Sequence, residues 1–138
     1  SDLEQGVIHA DLFPDNVFFR NGRLSGIIDF YFACNDAFAY ELAICMNAWC
    51  FDDEGRFSRD LAAALFAGYA SVRPLERRET EALPLLARGA AMRFLLTRLH
   101  DWFLPQDGAL TRRKDPLEFL PLIEFHRGVT DSAAYGID

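Results

Sequence analysis

The segment Val7-Ile8-His9-Ala10-Asp11-Leu12-Phe13-Pro14-Asp15-Asn16-Val17, followed thirteen residues after Asn16 by Asp29 in Ile28-Asp29-Phe30, decides how this chain is read. It starts and ends in β-forming residues and holds a short polar loop containing Pro14, so the loop lies at strand ends and not within a helix. Residues 17–20 and 24–28 are β-rich runs separated by Asn21-Gly22, a pair suited to the positive φ angles of a tight hairpin. That hairpin returns the chain, and Asp29 with it, toward the loop.

Three oxygen-bearing side chains therefore stand at strand ends, at positions 11, 16 and 29. Phosphoryl transfer from ATP selects such groups, because it needs a hydroxyl held in line and phosphate charge neutralised by metal more than it needs covalent help. Asp11 can accept the hydroxyl proton and orient its oxygen. Asn16 can present a neutral oxygen and Asp29 a charged one to Mg²⁺, which takes hard oxygen donors and keeps waters and phosphates in its other positions. His9 reads as a brace hydrogen-bonded beneath the loop, Asp15 as a solvated loop residue, and Asp36 and Glu41 as internal braces that cap a helix or anchor the loop. Arg88, Arg93 and Arg98 are spaced by five, a rotation of about 140° per step on a helix, and so give no common anion-binding face. Arg112-Arg113-Lys114 could attract an anionic group, but reads first as a solvated loop.

Near Asn35 the chain changes from strand patterns to helical ones. Apolar residues at Phe38, Leu42, Cys45, Met46 and Trp49 predict a helix with one face inward, started by Asp36 as cap. Ser58 caps a second helix running through Ser71, with Pro74 beyond its end. A third, over residues 80–103, is apolar on most sides and is expected at the centre of the core, with Pro84 in its first turn or kinking it. Residues 105–114 form a turn-rich connection and residues 117–127 a last helix. The expectation is one α+β domain over residues 1–138, mainly helical.

The 138 residues are 51% hydrophobic and 25% charged, ordinary for a globular protein. Apolar runs stop well short of the roughly 20 residues that cross a bilayer, and no basic start with an apolar run marks a signal peptide, so the expected location is cytoplasmic. Cys34, Cys45 and Cys50 make an odd set without metal-site spacing and are expected as buried reduced thiols. The net charge of −7 lies wholly in residues 1–53, where nine acids face Arg20 and Arg23. Acid is thus concentrated where a cation could be held, and its sign excludes nucleic acid as a partner.

The pattern from His9 to Asn16, with Ile28-Asp29-Phe30, resembles the aminoglycoside phosphotransferase and protein kinase-like superfamily, whose members carry H-G-D-L-x-x-x-N followed by I-D-[FW]. Ala10 replaces the common glycine, and Glu41, in Tyr40-Glu41-Leu42-Ala43, an aspartate. Within the superfamily the wording is most similar to the homoserine kinases of this fold, through Ile28 to Asp36, Arg93 to Leu99 with Asp101-Trp102, and Lys114 to Glu118. The resemblance implies the C-terminal lobe of a protein kinase-like fold, with Asp11 as catalytic base, Asn16 and Asp29 as Mg²⁺ ligands, and ATP and a small alcohol as substrates. Homoserine is the acceptor it favours; an aminoglycoside or choline is the alternative, and a non-catalytic kinase-fold module the reading of another class. It further implies a longer kinase whose N-terminal, nucleotide-covering lobe lies outside this sequence, an inactive isolated lobe, and apolar surface that could form a homodimer.

Overall fold

Residues 3–104 and 114–137 are described by the computed structural model of the chain. Four short strands come first: β1 (Gln5–Ile8), β2 (Val17–Arg20), β3 (Arg23–Ile27) and β4 (Cys34–Ala37). Four helices follow: α1 (Phe38–Trp49), α2 (Arg59–Ala70), α3 (Arg77–Phe103) and α4 (Leu120–Arg127), with 3-10 turns at Pro14–Asn16, Phe30–Phe32, Pro116–Phe119 and Ser132–Tyr135. The architecture is α+β and mainly helical. The turn-rich connection expected after Pro105 lies outside the described residues.

The hairpin forms as its turn residues dictate. Asn21 and Gly22 have φ of 52° and 73°, so both central positions are left-handed and the turn matches the twist of β2 and β3. The pair runs antiparallel from Val17 opposite Ile27 to Arg20 opposite Arg23, with a bulge at Phe18 and Phe19. A second antiparallel ribbon pairs β1 with β4, Gln5 opposite Ala37 and Ile8 opposite Cys34.

That ribbon corrects the reading of Asp36 as a helix cap. Asp36 sits inside β4 opposite Gly6, and its Oδ1 accepts from the adjacent Ala37 N–H at 2.7 Å. Helix α1 begins after Ala37 without a side-chain cap. Asn35 and Asp36 are poor strand formers, and pairing with β1 overrides that local preference. Cys34, on the same strand, is exposed, whereas Cys45 and Cys50 are buried as expected; burial pushes their thiols up to about 12 and about 11.

The two long helices exchange the places expected of them. On α1 every residue from Leu42 to Asn47 is buried, with Ala39, so this helix is enclosed nearly all round. Helix α3 buries one stripe, including Leu83, Ala87, Ala90, Ala91 and Phe94, while Leu85 and Leu96 are 64% and 54% exposed. Small residues on both helices let them pack closely. Helix α3 begins at Arg77, so Pro84 lies well inside it and not in its first turn. Ser58 caps α2 as expected, its side chain accepting from Leu61 N–H, and α4 starts three residues later than the sequence suggests because a 3-10 turn precedes it. No helix among the described residues is long and apolar enough to cross a membrane.

Two apolar clusters flank α1 and α3. One, built on Ile8, Ala10, Ile44, Phe94, Phe119 and Leu122, lies beneath the loop that follows β1. The other joins Leu42, Met46, Phe66, Leu83 and Tyr135. Polar groups buried in the second are paired. Asn47 Nδ2 donates to the Ala87 carbonyl at 2.8 Å, which turns its Oδ1 toward His126 Nε2–H at 2.7 Å. His126 Nδ1 then accepts the Tyr135 hydroxyl at 2.8 Å, so the chain of bonds needs a neutral imidazole.

Helix α3 is entered through a capping box, Glu76 and Glu79 each accepting the other's backbone N–H. Glu79 has no exposed side-chain surface, and its charge is met by Arg73, whose Nη2 and Nη1 reach Oε1 at 2.8 Å and Oε2 at 3.1 Å. Arg73 also pairs with Glu4 at 2.6 Å and lies 5.1 Å over the Phe38 ring, tying the first strand to the start of α3.

Two outcomes follow for stability. Arg73→Met leaves Glu79 buried without a counter-charge and should cost about 3–5 kcal/mol in urea unfolding, part of which Glu79→Gln in the same chain restores. Burial lowers the His126 pKa to about 4 from its ordinary 6.5. The unfolded chain therefore binds more protons between those values, and stability rises with pH through that window. Acidification from pH 7 to about 4 should remove about 3 kcal/mol through this group, and His126→Gln should flatten that part of the profile.

Candidate active site

The loop from His9 to Asn16 leaves β1 in a conformation that its own residues do not favour. Ala10 is left-handed, with φ of 63°, which costs an alanine about 1–2 kcal/mol, and it is only 2% exposed. This is the position of the glycine in the pattern quoted above. Glu41, in the first turn of α1, holds the turn closed: its Oε2 accepts both the His9 and the Ala10 backbone N–H, the latter at 3.0 Å. Its Oε1 is buried without a hydrogen-bond partner among the described residues.

Further bonds pin the loop from three sides. Arg93 of α3 donates from Nη1 to the Ala10 carbonyl at 2.9 Å, and Trp49 of α1 donates its indole N–H to the Leu12 carbonyl at 2.8 Å. The buried His9 ring spans the space to the hairpin, Nε2–H donating to the Ile28 carbonyl at 2.8 Å while Nδ1 accepts the Asp11 backbone N–H at 3.2 Å. Those two bonds fix one neutral tautomer. Phe30 closes over the imidazole edge-on, with ring centroids 4.7 Å apart.

Asp11, Asn16 and Asp29 line one cleft of about 230 Å³. Asn16 Nδ2 donates to the Asp11 carbonyl at 2.8 Å and to its Oδ2 at 3.3 Å, an orientation that leaves Oδ1 without a hydrogen bond among the described residues. The Asn16 carbonyl accepts the Ile28 N–H at 3.0 Å and ties the loop to the end of β3. Asp29 is left-handed, φ 63° and ψ 61°, immediately before the 3-10 turn of Phe30–Phe32. Burial raises the Asp11 carboxyl above its usual range and the nearby Asp29 charge adds to it, whereas the Arg93 guanidinium pulls it down.

A carboxylate and an amide oxygen beside a second, partly desolvated carboxylate make a hard-oxygen donor set suited to Mg²⁺ with its waters and phosphates. No cluster of three His, Cys, Asp or Glu side chains that could by itself enclose a metal occurs among the described residues. Of the braces expected from the sequence, His9 and Glu41 touch the loop and Asp36 does not.

The sequence reading missed the opposite wall. Arg93, Thr97, Arg98 and Asp101 of α3, with Lys114, line the same cleft. Arg88 lies elsewhere, in a groove with Leu85 and Met92, so the three arginines indeed share no face, yet two of them reach one site. Their step of five on the helix was the wrong period to test: Arg93, Thr97 and Asp101 recur by four, and Phe94 and Arg98 follow the same ridge one residue on. Lys114 is not solvated alone but pairs with Asp15 at 2.6 Å. Arg112 and Arg113 lie outside the described residues.

A profile of the Phosphotransferase enzyme family matches residues 1–75. Among curated proteins the chain is 61% identical over 137 residues to the homoserine kinase of Chelativorans sp. (strain BNC1), an overlap of 99% of this chain and 42% of that protein. It is 64% identical over 137 residues to the homoserine kinase of Parvibaculum lavamentivorans, 99% of this chain and 43% of the relative. The homoserine kinase of Rhizobium meliloti is 61% identical over 136 residues, again 99% and 42%. The chain thus spans about two fifths of the length of these relatives.

The environment of Asp11 is open to direct measurement. In carboxyl ¹³C titrations Arg93→Gln should move the Asp11 pKa further up and Asp29→Asn should move it down. Shifts of equal sign in the two variants would contradict the charge arrangement described.

Proposed function

The chain belongs to the Phosphotransferase enzyme family, and from that premise we propose that it carries the proton-accepting and metal-holding residues of an ATP-dependent kinase whose acceptor is the hydroxyl of L-homoserine. The observation that carries the reading is the convergence of Asp11, Asn16 and Asp29 on one cleft. The acceptor is supported by the relatives, each a homoserine kinase at about 60% identity across nearly all of this chain.

Asp11 takes the role of base. Its carboxylate accepts the hydroxyl proton as the oxygen attacks the terminal phosphorus of ATP, the new P–O bond forming as the bond to ADP breaks. The Asn16 amide fixes the Asp11 side chain through Nδ2, so the base meets the alcohol in one rotamer. His9 and Glu41 act only through the loop, holding its backbone where both groups converge. Asn16 Oδ1 and the Asp29 carboxylate would hold Mg²⁺, which when bound supplies neutralisation of phosphate charge. The raised pKa of Asp11 places the acid limb of kcat/KM above the ordinary carboxylate range. We assign the activity to the protein in its full length, acting on soluble metabolites in the cytoplasm.

Asp11→Asn should lower kcat by about 10²–10⁴ while nucleotide binding stays nearly intact, because it removes the proton acceptor alone. Asp29→Asn should instead weaken Mg²⁺-dependent nucleotide binding in calorimetry. Wild-type kinetics in either variant removes that residue from its role, and turnover stimulated by another alcohol but not by homoserine reassigns the acceptor.

A further inference from the structure

The cleft holds two cations besides Arg93 that touch the catalytic loop through side chains and not through its backbone carbonyls. Arg93 is committed to the Ala10 carbonyl and to the rings of Phe94 and Phe32, whose centroids lie 4.5 and 5.6 Å from its guanidinium. Arg98 and Lys114 both approach the Phe13 ring, each 5.9 Å from its centroid, and line the same cleft. Both charges act on one place, since the Asp15 carboxyl is held below its usual range chiefly by Lys114, with Arg98 contributing.

Each of the two is occupied by a carboxylate that a ligand can displace. Lys114 Nζ meets Asp15 at 2.6 Å and Arg98 Nη1 meets Glu118 at 2.9 Å, with Lys114, Asp15 and Glu118 all more than half exposed. The Lys114–Asp15 pair is exposed on both sides and holds weakly, and the exposed Glu118 is free to leave Arg98 for solvent. Arg98 itself is 15% exposed and lies 4.5 Å over the Phe119 ring, so its planar donor fork is fixed in direction before a ligand arrives. A half-buried arginine packed on a ring, with a lysine on the same wall, is a device for carboxylate recognition.

The amino-acid acceptor proposed above carries such a group, separated from its reactive hydroxyl by a short carbon arm. Resting on that reading, we infer that Arg98 and Lys114 receive the α-carboxylate of the acceptor, Asp15 and Glu118 occupying its place in the free protein. The single substrate carboxylate takes up the two cations as Asp15 and Glu118, both exposed, turn out to solvent. The hydroxyl is thereby turned toward Asp11, and alcohols without an acid group lose the anchor.

Calorimetric titration of the protein, in the full length its gene encodes, with L-homoserine and with its amide tests this. The amide keeps the hydroxyl and the ammonium and lacks the anion. Wild-type protein should favour homoserine over the amide by about ten-fold or more. Lys114→Gln and Arg98→Gln should each shrink that ratio to about two-fold, through weaker homoserine binding with the amide unmoved. Asp15→Asn, which removes the competing carboxylate, should tighten homoserine. A ratio unchanged in both variants, an equal loss for both ligands, or no preference in the wild type overturns the assignment. Lys114 is half-exposed and its variant retains the core even if Arg98→Gln, which loses packing on Phe119, does not fold. Turnover is scored apart: failure of the wild type to phosphorylate homoserine with ATP sinks the reading of function, whereas turnover with an unchanged ratio sinks the carboxylate subsite alone.

Discussion

One carboxylate holds the site together. Glu41 takes the backbone N–H groups of both His9 and Ala10, at the point where the chain is forced into a left-handed turn that an alanine adopts only at a cost. Two buried amides with no acceptor would add about 1–3 kcal/mol each, so without this contact the loop has no reason to keep its shape. The topology puts Glu41 within reach because β4 runs beside β1 and leads directly into α1. The first turn of the helix is thereby delivered to the end of the strand from which the loop departs.

From that anchor the other constraints propagate. Once the His9 backbone is held, its ring can reach both the Ile28 carbonyl and the Asp11 N–H, so a single imidazole sets the distance between loop and hairpin. Asn16 repeats the link from the other end of the loop, with its carbonyl on Ile28 and its amide on Asp11. The two elements that carry Asp11 and Asp29 are therefore spaced by short, neutral hydrogen bonds and not by the charges themselves. That matters electrically, because like charges repel, and Asp11 accordingly has a raised pKa to which Asp29 contributes. Arg93, clasping Ala10 from α3, offsets part of that repulsion.

Legibility in the sequence varied with the range of the interaction that decides each feature. Asn21-Gly22 and Ser58 were readable because a turn and a cap are set by a few adjacent residues. The joint spacing of Asp11, Asn16 and Asp29 was readable for a related reason: a loop and a two-stranded hairpin leave few ways to arrange them. Asp36 misled because aspartate before an apolar periodic run has the pattern of a cap, and only its pairing across from Gly6 makes it a strand residue. The relative depth of α1 and α3 misled as well. Periodicity reports which face of a helix is apolar, whereas burial depends on how many neighbours enclose it, and α1 is surrounded where α3 keeps an exposed flank carrying Leu85 and Leu96.

By itself, then, the sequence determined the turn at Asn21-Gly22, the cap at Ser58, the hairpin that returns Asp29 to the loop, and the grouping of Asp11, Asn16 and Asp29. Those follow from backbone sterics and from side chains close together in the chain. The tertiary structure decided which distant residues meet them: Glu41 under the loop, Arg93 on the Ala10 carbonyl, and Arg98 with Lys114 about the Phe13 ring. These contacts span 30 residues or more, and their positions are set by how α1 and α3 pack against the first strands, which depends on the three-dimensional filling of the core and not on any spacing along the chain.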